Sequence, residues 1–87
     1  MKWTKQPRNS KSESTIHWIN FSGQLYILVF SDISPTTYYI GRAVRTWDRG
    51  SGRCEYYWYE KKPKPLTQEE AMFILEQPEA WFMEQLL

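Results

Sequence analysis

The sequence predicts an α+β fold: a small antiparallel sheet of three to four strands followed by a C-terminal helix, kinked or split at Pro78. Three observations carry this expectation. Between positions 15 and 60, apolar residues alternate or run unbroken over strand-length stretches, with turn residues between them. The segment Lys61-Lys62-Pro63-Lys64-Pro65 closes that region, because proline donates no ladder hydrogen bond. Thr67 with Glu70 three residues later then forms a capping-box signature ahead of helically spaced apolar residues.

The elements follow in chain order. Residues 1–14 are polar, basic and Ser-rich, and read as a flexible N-terminal arm ahead of one domain over 15–87. Thr15–Phe21 reads as a short strand, with Ile16 and Trp18 on one face and Ile19 and Phe21 on the other. Ser22-Gly23 is a turn signal. Gln24–Ser31 is the strongest strand, because Leu25 to Phe30 are apolar without a break and so suit a position covered on both faces. Tyr38–Trp47 places Tyr38, Ile40, Arg42 and Val44 on one face, and Tyr39, Gly41, Ala43, Arg45 and Trp47 on the other. Asp48-Arg49-Gly50-Ser51-Gly52 should return the chain as a hairpin. In Cys54–Glu60, Cys54, Tyr56 and Trp58 are expected to face the core, leaving Tyr57 and Tyr59 outside. A helix over 68–76 follows, and Pro78 suits the first residue of a second short helix. Ala71, Ile74, Leu75, Phe82, Met83 and Leu86 form its expected apolar stripe.

Composition narrows the function. The net charge of +1 is unevenly placed: all 11 Lys and Arg lie in residues 1–64, while residues 65–87 carry five Glu and no cation. A basic half hints at a polyanion partner, and attraction between sheet and helix is the simpler account of it. One Cys and one His are too few for a zinc site, so no metal and no cofactor are expected. His17 reads as a structural or surface residue, and Cys54 as a buried free thiol. Glu69 and Glu70 are accounted for by the helix start. Gly50-Ser51-Gly52 lacks the lysine and the following helix of a phosphate-binding loop. No catalytic constellation can be placed, and the chain is expected not to be an enzyme. The single cysteine, and the lack of a signal-peptide pattern or of a run long enough to span a bilayer, point to a cytoplasmic protein with no membrane contact.

Aromatics supply the positive signal: 17% of the chain, including five Trp and six Tyr. Tyr39, Arg42, Arg45, Trp47, Tyr57, Tyr59, Lys61 and Lys62 are the candidate binding residues, with Tyr39, Trp47, Tyr57 and Tyr59 expected on one face opposite the helix. Exposed Tyr, Trp and Arg suit a protein interface, so the first expectation is a small binding or regulatory protein, possible as an inhibitor, that acts on another protein or a second copy of itself. The alternative is single-stranded nucleic acid, with bases stacked on Tyr57 and Tyr59 and phosphates held by Arg45, Lys61 and Lys62. Cross-strand pairing of aromatics on a pleated surface is the simpler account of the same residues.

Overall fold

A computed structural model describes residues 1–6, 14–32, 35–50, 52–59 and 62–85, with Arg53 described for its backbone alone. The chain is α+β. Strands β1 (Thr4–Lys5), β2 (Ser14–Phe21), β3 (Gln24–Ser31), β4 (Thr37–Asp48), β5 (Arg53–Trp58) and β6 (Lys64–Leu66) precede helices α1 (Gln68–Glu76) and α2 (Pro78–Gln85). The strands form one antiparallel sheet in the order β1-β2-β3-β4-β5, with β6 also paired to β4. No helix among the described residues is long and apolar enough to cross a membrane.

The strand count exceeds the expected three to four because two short strands carry little pattern of their own. Thr4 and Lys5, within the stretch read as an arm, pair with Trp18 and His17. Lys64, Pro65 and Leu66 pair with Ile40, Tyr39 and Tyr38; a proline is tolerated there because β6 is an edge strand. The central hairpin is set by Ser22 and Gly23, which both have positive φ, 51° and 75°, the backbone of a tight two-residue turn.

β4 is the spine of the sheet. Its first half, up to Arg42, pairs with β3 on one edge, and residues 38–40 pair with β6 on the other. Its second half, Ala43 to Asp48, pairs only with β5 among the described residues. Between Ala43 and Ile40, β4 advances three residues while its partner advances six, from Trp58 to Lys64. The register therefore steps by three residues beside Gly41, where β5 gives way to β6. From Ala43 onward β4 and β5 form a two-stranded ribbon, closed by an Asp48 turn in which Gly52 N–H donates to Asp48 O at 2.8 Å and Gly50 N–H to Asp48 Oδ1 at 2.9 Å.

The helices cover one face. Ala71 and Ile74 of α1 are fully buried against Leu28 and Ile40. The expected capping box forms: Glu70 N–H donates to Thr67 Oγ1 and Thr67 N–H to Glu70 Oε1, both at 3.1 Å. Gln77 leaves helical geometry (φ −128°, ψ 60°) and Pro78 opens α2, so the helix is split. Phe82 of α2 stacks on Phe21 at 4.5 Å and meets the edge of Tyr26 at 4.8 Å. Trp3 seals this junction, its Nε1–H donating to Ile74 O at 2.8 Å. Met83, placed in the apolar stripe from sequence, instead points to solvent, 58% exposed: the break at Gln77 resets the helical phase. Leu86 lies outside the described residues.

Candidate functional site

Register decides where the candidate residues go. Directly opposed residues of an antiparallel pair share a face. Leu28 and Ile40 are opposed under the helices, so Arg42 and Val44 continue the helix-side face along β4. Val44 is opposed to Tyr57, which puts Tyr57 on that face too. Tyr59 continues it, its N–H donating to Arg42 O at 2.9 Å. The helices do not reach this far, and Val44, Tyr57 and Tyr59 are exposed. The helix-free face carries Tyr39, Arg45 and Trp47, together with Cys54 and Tyr56, opposed to Trp47 and Arg45, and Trp58.

The expectation of one shared aromatic face is thus corrected. Tyr39, Arg45 and Trp47 lie on one side of the sheet; Arg42, Tyr57 and Tyr59 lie on the other. Cys54, Tyr56 and Trp58 do turn inward, but on the helix-free side. Cys54 is half-buried rather than a core residue. Lys62 is exposed, and Lys61 lies outside the described residues.

The helix-free face fills itself. Trp18, Ile27 and Gly41 form one row across β2, β3 and β4. The Trp58 ring lies over Gly41, only 3.1 Å from where a Cβ would sit. Flanked in this way by two indoles, Ile27 is 2% exposed without any helix above it. The ribbon curls over this floor: Arg45 lies 5.9 Å from the Trp18 ring centroid, and Tyr56 Oη donates to Gln6 Oε1 at 3.2 Å. Burial pushes the Tyr56 phenol up from its ordinary range, with Arg45 acting against it. Half-buried Tyr39 is opposed to Val29 on one side and Pro65 on the other. What remains open is Trp47 at the ribbon's end.

On the helix side, Tyr57 Oη donates to Glu55 Oε2 at 2.6 Å, and that carboxylate raises the phenol's pKa. Arg42 lies flat over Tyr59, 4.4 Å from the ring centroid. Its Nη2 donates to Gln24 Oε1, while its Nε is buried with no hydrogen-bond partner. Beside it, at the step in register, lies a cleft of about 300 Å³ against α2, lined among others by Tyr26, Arg42, Lys62, Lys64, Trp81 and Gln85. Of these only Arg42 and Lys62 were expected as binding residues. Lys64 and Trp81 were missed, because their meeting depends on β6, which was read as a strand terminator.

Among the described residues, no group of three His, Cys, Asp or Glu side chains could hold a metal ion. The chain matches no family model, no curated protein and no solved structure.

Proposed function

We propose that this chain is a non-enzymatic binding protein whose contact element is the β4–β5 ribbon, and that the ribbon docks on another polypeptide. The observation that carries this reading is the exposure of large apolar side chains on both faces of a ribbon no helix covers: Trp47 (63%) on one, Val44, Tyr57 (54%) and Tyr59 (61%) on the other. Clustered exposed aromatics beside Arg45 have the composition of an interaction hot spot. The outer edge of β5 adds a second support. β5 pairs only with β4 among the described residues, so its free backbone groups can accept a further strand.

The simplest occupant is a second copy. Two β5 edges meeting antiparallel about a two-fold axis need only one self-complementary surface. Sedimentation equilibrium should show a concentration-dependent dimer. Trp47→Ser and Tyr57→Ser should each weaken it by about tenfold or more, as expected for truncated hot-spot residues, with an unchanged far-UV spectrum. A chain that stays monomeric at all concentrations and retains no host protein on a column would overturn this reading.

Single-stranded nucleic acid, the alternative partner, has less support on the ribbon itself. Arg45 does not share a face with Tyr57 and Tyr59, so the expected common stacking platform is divided.

A further inference from the structure

We propose that the cleft between α2 and the register step in the sheet binds a nucleoside phosphate, either a free nucleotide or one unit of a single strand. The site adjoins the ribbon at Tyr59, on which Arg42 rests, and does not include Trp47 or Tyr57. Four observations converge on it. Arg42, Lys62 and Lys64 all line the cleft, and among the described residues no carboxylate does, so its described lining is cationic, which favours an anion. Arg42 is also held in place: its guanidinium rests on the Tyr59 ring at 4.4 Å and one nitrogen bonds Gln24. A planar fork fixed in this way suits phosphate oxygens better than a mobile ammonium does.

The third observation is the buried Arg42 Nε, a donor with no partner. Buried donors are nearly always satisfied in native proteins, so the Arg42 guanidinium keeps donor capacity that its Gln24 contact does not use. The fourth is the shape and lining of the far wall. Tyr26, Trp81 and Phe82 are aromatic, and Lys64 Nζ lies 5.9 Å from the centroid of Trp81. Aromatic rings one side chain away from a cationic wall are the ingredients that stack a base while holding its phosphate, here as separate rings, with Tyr26 and Trp81 tilted 63° and 76° to Phe82. A volume of about 300 Å³ is at the small end of ligand pockets and fits one nucleotide unit.

The neighbouring carboxylates offset Lys64 in part, which leaves Arg42 and Lys62 as the stronger anion-binding groups of the lining. Glu70, which lies with Lys64 in the adjoining hollow, is engaged by the Thr67 cap. Glu84 shares that hollow and does not line the cleft.

The test is a ¹H–¹⁵N titration of the full chain at low salt with three probes: inorganic phosphate, adenosine monophosphate, and an oligodeoxythymidine of about eight nucleotides. The Gly41 amide and the Trp81 indole N–H should shift saturably with the nucleotide or the oligonucleotide, and more weakly with phosphate. Equal affinity per nucleotide for both organic probes identifies a free nucleotide as the ligand. Tighter binding of the oligonucleotide with a steep salt dependence identifies a single strand. Arg42→Gln should weaken binding by about tenfold or more, as loss of a bidentate phosphate contact does. The double variant Lys62→Ala/Lys64→Ala, which alters only exposed side chains, should do the same if Arg42→Gln fails to fold. Trp47→Ser should leave binding unchanged, which separates this site from docking of the ribbon. Inorganic phosphate that binds as tightly as the nucleotide, or no saturable shift at Gly41 and Trp81 with any probe, would overturn the proposal.

Discussion

Single residues show how closely the two faces are filled. Gly41 leaves room for the Trp58 ring on the helix-free face, while its neighbour Arg42 reaches into the cleft on the other. His17 is opposed to both Lys5 and Leu28 and rests 5.4 Å from the Phe30 ring. Burial first, and Lys5 second, hold its pKa below the ordinary 6.5. Folding therefore favours neutral His17. Its contribution to stability is complete above pH 6.5 and is lost as the pH falls through the lowered value, because the unfolded chain then binds the proton more readily. The melting temperature should drop as the pH falls below 6.5. In His17→Leu that part of the pH dependence should disappear. An identical pH profile in the variant would show that His17 titrates alike in both states.

At the scale of elements, the C-terminal helices supply the core on one face of the sheet. Phe82 is 2% exposed between Phe21, Tyr26, Trp3 and Trp81. Phe82→Ala should cost about 3–5 kcal/mol, read as a shift in the denaturant midpoint. A change below about 1 kcal/mol would mean that α2 contributes little to the core. The helical part was legible in the sequence because capping and spacing are local: Thr67, Glu70 and Pro78 stand where expected. Long strands were legible for the same reason. The face of β5 was misread because Cys54 to Tyr59 carry aromatics on both sides, and alternation cannot choose a side when both are apolar. The missing information was the register. A turn that pairs Asp48 with Arg53 puts Trp47 opposite Cys54, which already commits Tyr56 to the side of Arg45. The cleft could not be read at all, since it depends on β6 pairing beside Ile40 across a step in register.

At the scale of the whole molecule, charge and architecture are aligned. The cation-free C-terminal segment of residues 65–87 supplies both helices, while Arg42, Arg45, Arg49 and Lys62 lie in the sheet and its connections. The ribbon therefore lies on the basic part of the molecule, and the cleft lies where that part meets the acidic helix α2. The division of β4 has a consequence for how the chain opens. From Thr37 to Arg42 the strand is held by β3 and the helical layer; from Ala43 to Asp48 it has, among the described residues, only β5. A two-stranded hairpin is marginally stable by itself in water, and here it is tethered through Tyr56 to Gln6 and Arg45 to Trp18. Native-state hydrogen exchange should split one continuous strand into two regimes. The amides of Leu28 and Ile40 should exchange only through global unfolding, with a denaturant slope matching the equilibrium one. Those in the ladder beyond Ala43 should exchange through local fraying, nearly independent of denaturant. Uniform protection along β4 would show the ribbon to be as firmly held as the core. Otherwise Gly41 marks the boundary between a rigid half and an arm that breathes on its own, and whatever settles on that arm would be read out as slowed exchange there while the other half kept its rate.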